Sequence, residues 1–321
     1  MTFKARGLYA SSSKEPGGFR AGPLVLLGAL VAVVLVAAVA LSVLRGVDVD
    51  RRSLSDGFPG ATALEIDNRT SGEVTISGGG EDVVLERTLH ATPFQEPEER
   101  VDRSGERVRV RAECEGPWFL GDCAVDYDVS VPEGTAVAVA TAGGSIRVAN
   151  VEGSLELSSA SGRVRVEEHT GDVEVSTASG RVELDEVQGS ASVETASGRI
   201  TASGSGPALR ATTVSGSMDV SGFTAETVEA ESTSGSLSVG GGFTTARIST
   251  TSGSVSVDTG SPFDLLEVDS TSGSVRIDVP DGSYDVRGES VSGARTVDVG
   301  TSPEADARID VDTVSGSVGI G

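Results

Sequence analysis

Few side chains in this chain can act as a base near neutral pH or hold a soft metal. They are His90, His169, Cys114 and Cys123. The two histidines lie far apart, and neither has carboxylates at ligand spacing around it. Each reads as a surface or cap residue rather than a general base or metal ligand. Two histidines and two cysteines cannot build a zinc ribbon or an iron–sulfur centre. The carboxylates Glu167, Glu168, Glu174 and Glu183 are candidates to line a groove of the kind that cleaves glycosides. They do not recur at a fixed position, so they read as a solvated face. Gly78-Gly79-Gly80 and Gly240-Gly241-Gly242 precede neither Lys-Ser/Thr nor a helical pattern, which excludes a phosphate loop. The calcium-binding pattern Gly-Gly-x-Gly-x-Asp is absent from the turns. Asn68-Arg69-Thr70 has the form of an N-glycosylation acceptor. No catalytic residue, cofactor or metal is assigned.

The chain has 321 residues, with 25 Lys and Arg against 48 Asp and Glu, a net charge of −23. Such an acidic chain lacks the basic face that nucleic-acid phosphates require. Aromatics are only 4 %, against 42 glycines. The core must therefore be thin and filled by Val, Leu, Ile and Ala.

An internal repeat supplies that core. The dipeptides Ser161-Gly162, Ser179-Gly180, Ser197-Gly198, Ser215-Gly216, Ser234-Gly235, Ser252-Gly253, Ser272-Gly273, Ser292-Gly293 and Ser315-Gly316 recur every 18 to 23 residues, after a first variant at Gly143-Gly144. When the ten units are aligned on the second glycine, the residue four positions after it is apolar in all ten. So is the residue seven positions before it. Two positions after it the only exception is Arg295, and five positions before it the only exception is Gly288. Three positions before it all ten units carry Ser or Thr, from Thr141 to Thr313. Apolar residues at i and i+2 mean two short strands per unit. One residue type held in one column through ten units means that coils stack, each column packing on itself at about 4.8 Å. The expected fold is all-β, a parallel β-solenoid with coils of 18–20 residues over 137–321. The serine and hydroxyl columns read as hydrogen-bonded corner ladders, not as nucleophiles. The glycine allows the sharp bend.

Before the coils, Leu24 to Leu44 is an uncharged run of 21 residues. As a helix it spans about 31 Å, a bilayer core. The expected layout is a cytoplasmic tail 1–22, a transmembrane helix 23–44, a stalk 45–60 and an irregular β cap 61–136. The rest lies outside the membrane. Ala38-Val39-Ala40 keeps open a cleaved signal peptide. The charged stretch Pro93 to Ser104 reads as an exposed loop. The aromatics Phe94, Trp118, Phe119 and Tyr127 gather in the cap. Cys114 and Cys123 frame a segment with Gly116, Pro117 and Gly121. In an exported chain they are expected to form a disulfide, two separate thiols being the alternative.

The run Tyr127-x-Val-x-Val-Pro-x-Gly, then Val137-x-Val-x-Thr141-Ala-Gly-Gly, then repeated Thr-x-Ser-Gly-x-Val-x-Val resembles the bacterial and archaeal putative-adhesin family. These are β-strand-repeat proteins with a domain of unknown function. The resemblance covers about residues 62–321 and implies a β-solenoid in the cell envelope, with no catalytic residues. The expected function is a membrane-anchored, non-enzymatic surface binding module. Its outward residues Arg163, Arg165, Glu174, Arg181, Glu183, Arg199 and Arg276 would meet glycan or an envelope protein. The alternatives are an envelope-stress sensor and a structural protein associating end to end through its last coil, near Ile320.

Overall fold

The computed structural model of the chain describes residues 31–36, 39, 50–92, 95–115 and 123–321. The transmembrane segment expected at 23–44 falls mostly outside them, as do the tail 1–22, Phe94, Trp118 and Phe119. Residues 31–36 and 39 are helical and exposed. Among the described residues no helix is long and apolar enough to cross a membrane.

The remainder is almost entirely strand. The first nine strands are β1 (Asp50–Phe58), β2 (Ala63–Asn68), β3 (Val74–Gly78), β4 (Val83–Ala91), β5 (Glu96–Ser104), β6 (Arg107–Glu115), β7 (Ala124–Val131), β8 (Ala136–Thr141) and β9 (Ile146–Ala149). Three long strands bend around corners without a break: β10 (Leu155–Thr170), β11 (Val173–Gln188) and β12 (Ala191–Ser234). Shorter ones follow: β13 (Leu237–Gly240), β14 (Phe243–Ser252), β15 (Val255–Asp258), β16 (Leu265–Ser272), β17 (Val275–Asp278) and β18 (Ser283–Arg287). The last are β19 (Ser290–Ser292), β20 (Arg295–Val297), β21 (Gly300–Thr301), β22 (Arg308–Ser315) and β23 (Val318–Ile320).

Successive coils pair in parallel and in register: Val137 on Leu155 on Val173 on Ala191, and Ile146 on Val164 on Val182 on Ile200. Along each strand inward Val, Leu, Ile and Ala alternate with outward polar residues, and the inward ones are buried. The result is an open parallel solenoid whose core is a narrow apolar file.

The stacking order departs from chain order at both ends. β16 pairs with β22 and β17 with β23, so the final coil stacks directly on the coil of Gly273. β18, β19 and β20 then pair with the outer edge of β22 and β23. The penultimate coil is therefore the outermost rung, and the last coil is clamped between two neighbours. The open rung expected near Ile320 is not there. Gly288 and Arg295, the two exceptions to the apolar columns, both sit in this outermost coil, where no strand among the described residues covers the outer side of each column. Arg295 caps it, donating to the carbonyls of Gly288 and Arg287. Asp285, which accepts from both Arg287 and Arg308, ties it down. At the other end β2 lies between β6 and β8, and β3 between β7 and β9. The first coil is thus also interior.

Three expectations change here. Part of the stretch read as a stalk, 50–58, is strand β1, antiparallel to β4. The stretch read as an exposed loop is largely strand β5, hairpinned on β6; residues 93–94 lie outside the described set. Alternation was hidden in β5 because both of its faces carry charge, and one charge is structural. Glu99 of β5 lies 2.5 Å from Arg87 and accepts from the Tyr127 hydroxyl at 2.9 Å, while Arg87 also reaches Asp56 at 2.6 Å. Burial raises the Glu99 carboxyl above its ordinary range, against the pull of Tyr127 and Arg87. Third, His169 is neither surface nor cap: it is fully buried in the core. Sγ of Cys114 is bonded to Sγ of Cys123, with Cα atoms 6.1 Å apart. This closes the connection between β6 and β7.

Candidate functional site

The glycine file explains how the corners can stack. A Cβ on Gly180 would stand 1.9 Å from the Gly162 carbonyl oxygen, and one on Gly198 would stand 1.7 Å from that of Gly180. Neighbouring corners therefore touch backbone to backbone. The serine before each glycine points outward and is exposed: Ser161, Ser179 and Ser197 stand in register along this edge. The Ser/Thr column three positions before the glycine points inward and is buried from Thr141 to Ser270, and again at Thr313. Its expected hydrogen-bonded ladder forms at one place, where Thr141 Oγ1 donates to Ser159 Oγ and to the Gly144 carbonyl, both at 3.2 Å. The hydroxyls of Thr177, Thr195, Thr213, Ser232, Thr250, Ser270 and Thr313 have no partner among the described residues.

The outward residues singled out from the sequence fall on two faces. Just after the corner, Arg163, Arg181 and Arg199 occupy one column on three consecutive rungs, all exposed. Beside them Arg147 and Arg165 form a second in-register pair. Carboxylates neutralise part of this set. Arg165 reaches Glu167 at 2.8 Å and Glu183 at 3.2 Å, Arg181 meets Glu183 at 3.5 Å, and Arg147 meets Glu73 at 3.2 Å. Among the described residues Arg163 makes no ion pair, and Arg199 bonds only to the Ser217 hydroxyl, at 3.1 Å. Like charges directly opposite across a parallel ladder destabilise it. In a chain of net charge −23, a file of three arginines with two unneutralised members is a local inversion of sign. From the next coil onward the same column carries Ser217, Ser236, Ser254 and Ser274. Arg276 lies farther along this face, paired with Asp278 at 2.8 Å.

Glu174 lies on the other face, in an open groove of about 1010 Å³. The groove exists because the outward residues of β8 are Ala136, Ala138 and Ala140, a low rung between taller ones carrying Glu65 and Glu156. Arg109 bridges Glu65 at 2.7 Å at one side. Glu168 belongs to neither face. It sits at a corner with φ +52°, level with Glu186 at +56°, in a left-handed conformation that the sequence did not signal.

Elsewhere His90 meets Asp126 at 3.0 Å in the cap. Among the described residues no group of three or more His, Cys, Asp or Glu is placed to hold a metal ion. Asn68 is fully buried, its amide donating to the carbonyls of Gly72 and Val125 and its oxygen accepting from Thr70. That rules out a glycan on this residue in the folded state. An aromatic file, Phe243 to Phe263 to Tyr284 with ring centroids 5.6 Å apart, was missed from the sequence. Part of its signal was there: Phe263 and Tyr284 each stand in a unit lengthened to 20 residues, whereas the unit of Phe243 keeps 18.

No curated protein matches this chain. Among solved structures, a putative adhesin from Parabacteroides merdae is similar over 70 % of this chain and 97 % of its own, at 10 % identity and a TM-score of 0.44. A putative lipid binding protein from Parabacteroides distasonis is similar over 70 % and 98 %, at 10 % identity and a TM-score of 0.45. A putative adhesin from Bacteroides fragilis is similar over 86 % and 100 %, at 10 % identity and a TM-score of 0.36. The Toastrack DUF4097 family model matches residues 61–321, the whole stack from its cap to its last residue. With its coils in register over that span, this chain belongs to the Toastrack DUF4097 family.

Proposed function

We propose that this protein is a membrane-anchored, non-enzymatic surface module that binds an acidic glycan along the arginine file. In this reading 23–44 spans the membrane, the N-terminus is cytoplasmic, and the solenoid is held outside as a rigid carrier. The observation that carries the reading is the stack of Arg163, Arg181 and Arg199, exposed, in register and only partly neutralised. A linear polymer with closely spaced carboxylates or sulfates matches such a file. Each rung offers one guanidinium, and the rungs are about 4.8 Å apart. Each exposed contact is weak, so affinity comes from several rungs held in one line. The sign of the file also sets what is excluded. Neutral glycans gain nothing from it, and the acidic remainder of the surface repels a polyanion that strays from it.

The test is a titration of the full chain, in detergent micelles, with an acidic polysaccharide and with a neutral one. The acidic polymer is expected to bind, and more weakly as salt rises. Arg163→Ser, Arg181→Ser and Arg199→Ser combined should weaken binding by about tenfold or more. Serine already fills this column in later coils, so the triple variant keeps the fold. Equal binding of both polymers, or wild-type binding by the triple variant, overturns the reading.

A further inference from the structure

We infer that strand β1 is the docking edge for a second copy of this chain, joined by antiparallel β1–β1 pairing centred on Leu54. β1 pairs with β4 along one edge, and no strand among the described residues takes the other. Residues 51–57 are exposed, and Leu54 retains 45 % of its surface, one of the few large apolar side chains to do so. A bare strand edge is a template for another strand.

The other open edges are blunted and this one is not. β5 contains Pro97 and carries Glu96, Glu98, Glu99 and Asp102 against Arg100 and Arg103. The outermost coil is broken into strands of five, three and three residues, and Arg295 folds over its carbonyls. β1 is nine residues long, free of proline and electrically neutral, with Asp50 and Asp56 against Arg51 and Arg52.

Its sequence is also complementary to itself. Centred on Leu54, a two-fold pairing sets Arg52 opposite Asp56 of the second copy, and Asp56 opposite its Arg52. Ser53 then meets Ser55, Arg51 meets Gly57, and the two Leu54 side chains meet at the axis. Opposite charges facing each other across a ladder are favourable, and like charges are not. Centring on Ser53 instead would set Asp50 against Asp56. Centring on Ser55 would set Leu54 against Asp56 and leave Arg52 facing Phe58. The charges thus select one register, as they must where hydrophobic burial on one face is too slight to do so. Asp56 is already oriented, held by Arg87 at 2.6 Å.

Cysteine cross-linking of the full chain in membranes tests this. Residues facing their own copy across an antiparallel pair have Cα atoms about 4.5–5.5 Å apart, within disulfide range. Under mild oxidation Leu54→Cys should give mostly covalent dimer on a non-reducing gel. Gly57→Cys is the control. Its position has open space around the added atom, and in this register it lies about 20 Å from its own copy. It should run as monomer on the same gel, as should the wild type, because neither places two thiols face to face across the pair. Adding Arg52→Glu to Leu54→Cys sets two glutamates against two aspartates and should cut the cross-linked yield about tenfold. Absence of dimer for Leu54→Cys, equal yields at 54 and 57, or indifference to Arg52→Glu would each overturn the proposal.

Discussion

Gly198→Ala is expected to lower stability by about 4 kcal/mol or more, among the largest effects a single methyl can have. The added carbon would lie 1.7 Å from the Gly180 carbonyl oxygen, at a φ of +155°. That oxygen is main chain and has nowhere to go. Relief requires the two coils to part, which breaks the ladder on both strands of the unit. In a stack, each coil is held chiefly by its neighbours, so one opened interface weakens every rung beyond it. Two controls locate the cause. Gly143→Ala meets nothing within 4 Å, and Ser197→Ala removes an exposed hydroxyl; each should stay within about 0.5 kcal/mol of wild type. Urea unfolding of the full chain measures all three. Equal losses for Gly198→Ala and Gly143→Ala would mean that the corners do not touch.

The second large effect is a gain. His169 stands in a file between Val151 and Val187, all three fully buried. Among the described residues neither ring nitrogen has a well-aligned hydrogen-bond partner, although backbone groups of Val151, Asp172 and Gly171 lie close to the ring. Burial lowers its pKa, with nearby backbone groups of Val151, Asp172 and Gly171 and the Asp172 charge opposing the shift. The folded state therefore holds the ring neutral, while the unfolded chain protonates near the ordinary value of about 6.5. Above that pH the ring costs only its unsatisfied polar atoms. As pH falls below it, the unfolded state takes up a proton that the folded state refuses. Stability then drops by at most about 1.4 kcal/mol per pH unit until the folded pKa is reached. His169→Val continues the valine file and should stabilise the protein by about 1–3 kcal/mol at neutral pH. It should also remove this histidine's share of the acid sensitivity below about pH 6.5. A variant no more stable than wild type, with the same pH slope, would contradict this account of the core.

The repeat made most of this architecture readable. Columns of Val, Ile and Leu at i and i+2, fixed against a recurring glycine, specify strands, their inward face and their register together. What stayed hidden has physical reasons. Order along the stack is not encoded in periodicity, because any coil offers the same column to any other. The trace it left was the failure of Gly288 and Arg295 to match, which marks the coil with only one neighbour. β5 was obscured because Glu99 is buried against Arg87, so charge alone read as exposure. His169 was misjudged since its column was not aligned with Val151 and Val187, 18 residues away on either side. The arginine file was half visible. Its members were named from the sequence, but that Arg163, Arg181 and Arg199 face the same way and go largely unpaired is a matter of contacts. The groove over β8 could not be seen, since three alanines become a trough only when taller rungs flank them.

The order of the outermost coils is the most direct check on the stack. Ser315 is in register with Ser272 on one side and with Ser292 on the other. A double variant Ser272→Cys/Ser315→Cys places two thiols on adjacent rungs, about 4.8 Å apart. Ser272→Cys/Ser292→Cys places them two rungs apart, about 10 Å. Oxidised under the same conditions, the first pair should close a disulfide and the second should not. Closure of the second pair and not the first would mean that the coils follow chain order to the end, and that the last coil is not held between its neighbours.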